Sequence, residues 1–117
     1  MDDIVNFRLS KAANDVADKL VATGKFDYAT SVAKFAFAYA IKNFYDTFDP
    51  SEYAVADSNG SNYNVGSFDD LAPYVKILYP ETDTPYIYIR ALVNFGLIEI
   101  GKVIDSGGMP QIYTLCE

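Results

Sequence analysis

Carboxylates are the main source of acid–base chemistry open to this chain. Asp2–Asp3 and Asp69–Asp70 are adjacent pairs, there is no histidine, and the single thiol, Cys116, lies one residue from the C-terminal end. Ser-His-Asp, Cys-His and His-metal constellations are therefore unavailable within one chain. Both acid pairs fall at predicted ends of elements, where negative charge complements the positive end of a helix dipole. They read as structural, and no catalytic residue, cofactor or metal site is expected. The run "DSNGSNYN" at 57–64 places oxygen side chains around a glycine, as a calcium loop does. It lacks the later bidentate glutamate and reads as a turn. "SGG" at 106–108 lacks the spacing of a phosphate-binding glycine motif and reads as a helix end. "PYIYIR" and "KNFY" mix aromatic rings with single bases, which could serve base stacking or cation–π contacts. At helical spacing the same residues suit a core or an interface.

Charge limits the partners. Of nine bases and 16 acids, residues 1–44 carry a net +1 and residues 45–117 a net −8. The chain as a whole repels a phosphate backbone. Any nucleic-acid contact must come from the first third, where Arg8, Lys11, Lys19, Lys25 and Lys34 are the DNA-binding candidates. "MDDIVNF" has acids where a secretory signal carries positive charge, and no apolar run reaches about 18 residues. A cytoplasmic location without membrane contact is expected, and a single cysteine agrees with a reducing compartment.

The pattern predicts one mainly α domain over 1–117. Residues 1–45 form strand-helix-helix, 46–66 a loop or hairpin, 67–106 two further helices and 107–117 a tail. Ile4 to Leu9 alternates with period two, placing Val5, Phe7 and Leu9 on one face and Ile4, Asn6 and Arg8 on the other. Ser10 offers an N-cap for a helix over 11–23, which Gly24 closes in the left-handed conformation. A second helix, capped by Asp27 or Thr30, carries "AKFAFAYAI", apolar nearly all round. Such a helix is buried on several sides. Phe35, Phe37, Tyr39 and Ile41 are accordingly expected to be split between core and subunit interface in a homo-oligomer. Pro50 stops any continuation. Ser58-Asn59-Gly60 marks a turn, and "NYNVG" can follow it as a short strand. A third helix is expected from a cap at Ser67 or Asp69, with Leu71, Tyr74, Val75, Leu78 and Tyr79 buried. Thr84-Pro85 signals the fourth, with Gly96 and Gly101 allowing close helix approach. Gly107, Gly108 and Pro110 end it, and "QIYTL" forms a short tail segment.

Strand, capped helix, glycine turn and second helix is the order of the ribbon-helix-helix unit. There two chains pair their strands and outward side chains enter the major groove. Asn6 and Arg8 would be the base readers here. A longer resemblance joins it. "RLSKAANDVADKLVATGKFDYATSVAKFAFAYAI", "SNGSNYNVGSFDDL" and "IRALVNFGLIEI" together resemble the DndE family of DNA sulfur-modification (phosphorothioation) systems over roughly residues 8–100. The resemblance implies a compact, mainly helical protein with a ribbon-helix-helix-like first half. It also implies oligomerisation and an accessory role beside DNA-modifying enzymes, with DNA affinity through basic residues. The family's basic surface is thin here, with Lys11, Lys19, Lys25 and Lys34 at comparable positions, and the C-terminal half is strongly acidic.

The functional expectation is thus a non-catalytic DndE-like accessory protein of a prokaryotic DNA-modification or antiviral defence system. It would act as a homo-oligomer on DNA or on other proteins of that system. The alternatives are a ribbon-helix-helix regulator or antitoxin, and an acidic protein-binding module or inhibitor that never touches DNA.

Overall fold

Our computed structural model describes residues 3–26 and 28–107. Its described elements are β1 (Asn6–Arg8), α1 (Lys11–Ala22), α2 (Ala29–Phe44), β2 (Asn62–Asn64), a 3-10 turn (Val65–Phe68), α3 (Ala72–Leu78) and α4 (Pro85–Gly107). The protein is mainly helical with one two-stranded antiparallel sheet. The helix caps named at Asp27, the helix end at Gly108 and Pro110, the tail segment 111–115, and Asp2 and Cys116 lie outside the described residues.

The expected strand-helix-helix order is present, and its ribbon is closed within the chain. β1 pairs with β2 in the register Asn6↔Asn64, Phe7↔Tyr63 and Arg8↔Asn62. Phe7 and Tyr63 point inward and form an aromatic trio with Phe68, with ring centroids 5.3 to 5.7 Å apart. Burying three rings under so short a ribbon is what stabilises it, since two isolated strands are marginal in water. Val5, expected inside with Phe7 and Leu9, is 72% exposed, and Ile4, expected outside, packs on the core. The alternation fails there because regular strand geometry begins only at Asn6.

Ser10 caps α1 as expected, its Oγ accepting from the Ala13 amide at 3.2 Å. Gly24 takes φ +77° after the helix. The loop 57–61 clamps this helix start. Asp57 Oδ1 accepts from the Lys11 and Asn59 amides, and Asn14 Oδ1 accepts from the Ser61 amide. The Gly60 amide bonds the Leu9 carbonyl at 2.8 Å, and a Cβ on Gly60 would lie 2.7 Å from that same oxygen. Hydrogen bonds from the Asn59 and Lys11 amides hold the Asp57 carboxyl below its ordinary value. The oxygen-rich run that resembles a calcium loop is thus committed to α1.

Two expected caps are corrected. α2 begins at Ala29 with Tyr28 in the cap position and no side-chain bond, so Thr30 lies inside the helix. α3 begins at Ala72 behind Leu71, because Ser67 is taken up by the 3-10 turn and Asp69 follows it. Tyr74, expected in the buried stripe, is 61% exposed, since a seven-residue helix turns only one narrow face inward.

α4 starts at Pro85 as expected, but its cap comes from the far end of the chain. Asp3 Oδ2 accepts from the Tyr86 amide at 2.8 Å, and Oδ1 from the Ile87 amide at 3.0 Å. These are orphan donors of the first turn, and a carboxylate suits the positive helix end. Asp3→Ala should lower stability by about 1–2 kcal/mol, the usual value of an N-cap. Urea denaturation checks this, and an unchanged midpoint would refute the capping role.

α4 is the central helix, packed against α1, α2 and α3. Loop 45–61 is pinned to it by Phe48, which stacks on Phe95 at 3.9 Å, with Tyr53 edge-on to both rings. Tyr79 is buried between Tyr45 and Tyr88, and its hydroxyl has no hydrogen-bond partner among the described residues. Burial first, then neighbouring Tyr45 and Asp49, pushes this phenol up to about 12. The unfolded phenol ionises near 10. Between those values the unfolded chain has lost a proton that the folded chain keeps, so stability falls as pH rises from about 10 to 12. Tyr79→Phe should flatten that alkaline limb and cost little at pH 7, because it removes an unmet hydroxyl. Urea midpoints at pH 7 and pH 11 test both parts.

Candidate functional site

The five DNA-binding candidates are placed on four different stretches. Arg8 lies on β1, with Nη1 donating to the Gly60 carbonyl at 3.0 Å. Lys11 and Lys19 are exposed on α1, Lys25 follows it, and Lys34 is on α2. Carboxylates are interleaved with them. Lys11 Nζ lies 3.5 Å from Asp15, and Lys34 Nζ 3.1 Å from Asp70. Lys19 borders a shallow groove of about 310 Å³ between α1 and α4 that also carries Asp15, Lys102 and Asp105. These bases do not converge on one uniformly positive face.

The ribbon does gather polar side chains that the sequence reading left apart. Asn6, Arg8, Asn62 and Asn64 are all exposed on its outer side. Asn62 and Asn64 were missed as partners of Asn6 and Arg8. The clue is that "NYN" repeats the polar-aromatic-polar pattern of "NFR". Asn64 Oδ1 already accepts from the Gly66 amide.

The four expected interface residues divide as follows. Phe35 and Tyr39 are buried within this chain, in ring contact with Phe26 and Phe44 respectively. Phe37, also buried, and half-buried Ile41 line an open groove of about 410 Å³ between α2 and α3. Leu71, Tyr74 and Leu78 form its opposite wall, and exposed Ala38 lies on the α2 side. The groove exists because α3 packs chiefly on α4 and so stands away from α2. On the same short helix Ile77 is 75% exposed. Tyr45, at the end of α2, ties the two walls together by donating to the Leu78 carbonyl at 2.7 Å.

Lys34 and Lys42 also line this groove, and no carboxylate does. Lys42 makes no ion pair with any described residue.

The chain matches no protein-family model, no curated protein and no solved structure.

The acids that could do chemistry are mostly engaged elsewhere. Asp3 caps α4, Asp57 accepts from the first amide of α1, and Asp70 pairs with Lys34. Asp69 accepts a short 2.5 Å bond from the Tyr86 hydroxyl. That bond, ahead of burial and the Asp69 charge, pushes the Tyr86 phenol up to about 12. A phenol held by an adjacent carboxylate in this way keeps its proton at neutral pH. Among the described residues, no three acidic or thiol side chains converge closely enough to hold a metal ion. No described helix is long and apolar enough to cross a membrane.

Proposed function

We propose that this chain is a non-catalytic docking module. It acts as an accessory protein by binding other proteins, in keeping with the role its resemblance to the DndE family implies beside DNA-modifying enzymes. The observation that carries this reading is the open apolar groove between α2 and α3. Soluble proteins rarely leave large apolar side chains clustered in the open without a partner to cover them. Tyr74 stands exposed at that groove, and Phe37, Ile41 and Leu78 line it. A pocket of this size with few polar groups fits a recognition surface.

DNA binding is the second reading, and one observation favours it. The outer face of the ribbon carries three asparagines and Arg8, residue types that bond base edges, on an element that fits the major groove. The opposing consideration is electrostatic. Affinity for duplex DNA comes largely from released counterions, and this chain carries a net −7 with its bases interleaved among acids.

A fluorescence titration at low salt with intact, nicked and single-stranded DNA separates the two. The docking reading expects no saturable binding, or weak binding lost by about 0.2 M salt. Tight binding, weakened by Asn62→Ala or Arg8→Ala, would make DNA the partner and the groove secondary.

A further inference from the structure

The α2–α3 groove has a charge opposite to that of the chain around it. Of the residues that line it, the two charged ones are Lys34 and Lys42, in a protein with 16 acids and nine bases. They are eight residues apart on α2, about 12 Å along the helix axis. Phe37, Ala38 and Ile41 lie between them. The site is therefore an apolar trough bracketed by two cations. Lys34 shares its charge with Asp70, and Lys42 is unpaired among the described residues.

We propose that this groove docks an amphipathic helix of a partner protein, one whose apolar anchors are flanked at both ends by Asp or Glu. The inference rests on the docking reading above and adds the chemistry of the occupant. Two turns of helix span the distance between the lysines. Anchors at i and i+4 would fill the trough while carboxylates at i−3 and i+7, about 15 Å apart, come within reach of the flexible stems of Lys34 and Lys42. Charge also decides against a second copy of this chain in that place. A two-fold interface sets the same patch against itself, so Lys34 and Lys42 would face their own copies across an apolar seam.

The test uses the full chain and two synthetic 18-residue helical peptides with the same leucine stripe. One carries glutamates at the flanks and the other lysines. Net charge alone makes the lysine peptide the better ligand of a chain at −7. The groove makes the glutamate peptide better, by about tenfold or more in fluorescence anisotropy at low salt. Lys42→Glu should weaken the glutamate peptide several-fold and bring the two peptides level or reverse them. Ala38→Trp fills the trough from an exposed position and should abolish binding of the glutamate peptide. Unchanged circular dichroism and urea midpoints show that both variants fold.

Preference for the lysine peptide, or glutamate-peptide binding that survives Ala38→Trp, overturns the proposal. Equal binding of both peptides that Ala38→Trp abolishes also overturns the acidic occupant, but leaves the groove as a docking surface. A dimer in light scattering that Ala38→Trp dissociates makes a second copy the occupant and has the same consequence. No peptide binding and a monomer that Ala38→Trp leaves unchanged would remove the docking reading as well.

Discussion

Gly96→Ala should destabilise the protein by roughly 3 kcal/mol or more, a large share of a small domain's stability. A Cβ at this position would lie 2.2 Å from the carbonyl oxygen of Ala36 and 2.8 Å from its carbonyl carbon. Those atoms are helix backbone and cannot rotate away. α2 and α4 would have to separate, and this is the most extensive helix packing in the chain. Ala33, Ala36 and Ala40, all buried on α2, suit that close approach. Helix propensity acts in the other direction, since alanine is favoured over glycine by about 1 kcal/mol in a helix interior. The steric term wins because relief requires moving one whole helix, which also loosens the core around Val32, Ile89, Val93 and Leu97. Two other glycines serve as controls. Gly101→Ala meets a Val16 methyl at 2.7 Å. Valine is stiff at χ1 in a helix, so a small shift of α1 must relieve the contact, but the helix propensity gained by alanine offsets part of this and leaves about 1 kcal/mol or less. Gly24→Ala meets nothing within 4 Å but sits at φ +77°, so its cost is the left-handed strain of about 1–2 kcal/mol. Urea denaturation of the three variants should rank them Gly96, Gly24, Gly101. A Gly96→Ala protein as stable as the parent would mean that the two helices do not touch here.

That glycine was legible in the sequence as a point of close approach, because it interrupts an otherwise strong helical pattern. Its partner was not, because spacing along one helix says nothing of which neighbour comes near. The same division runs through the molecule. Ser10, Gly24 and Pro85 act through their own backbone neighbours, and each marks the boundary it was expected to mark. Asp3 was read as a helix-start charge, yet the helix it starts lies 83 residues away. The partner of β1 had the same difficulty. Both three-residue strands could be read, but their pairing across more than 50 residues depends on how the loop folds back over α1. Tyr74 was misplaced because α3 is short, and a periodic stripe predicts burial only where a facing element covers it. The groove follows from that uncovered face, so the apolar surplus on α2 could be read while its location against α3 could not.

Asn94→Ala should cost about 2–3 kcal/mol, although the residue touches no surface and no candidate site. Asn94 is fully buried within α4. Its Oδ1 accepts from the Ser10 amide at 2.9 Å, and its Nδ2 donates to the Arg90 carbonyl at 2.9 Å. The first bond joins the strand-to-helix corner to the middle of α4. It also satisfies the amide of the cap residue, while the Ser10 side chain serves the Ala13 amide. Alanine at 94 leaves the Ser10 N–H buried without a partner, and an unmet buried donor costs about 1–3 kcal/mol. The small cavity left by the amide adds to this. The damage should therefore trace to one hydrogen atom, and a double-mutant cycle can show it. Ser10 sits at φ −67°, which proline adopts without strain. Ser10→Pro removes the orphan donor, and the space vacated by Asn94→Ala gives the ring room. Ser10→Pro alone should be harmful, since it crowds Asn94 and loses the cap. In the Asn94→Ala background it should cost markedly less, with a coupling of about 1 kcal/mol or more between the two sites. Strict additivity in the urea midpoints would place the loss in packing and not in the unmet N–H. A coupling of the expected sign would identify Asn94 as the bond that fixes the ribbon, and with it Asn6, Arg8, Asn62 and Asn64, against the helical body.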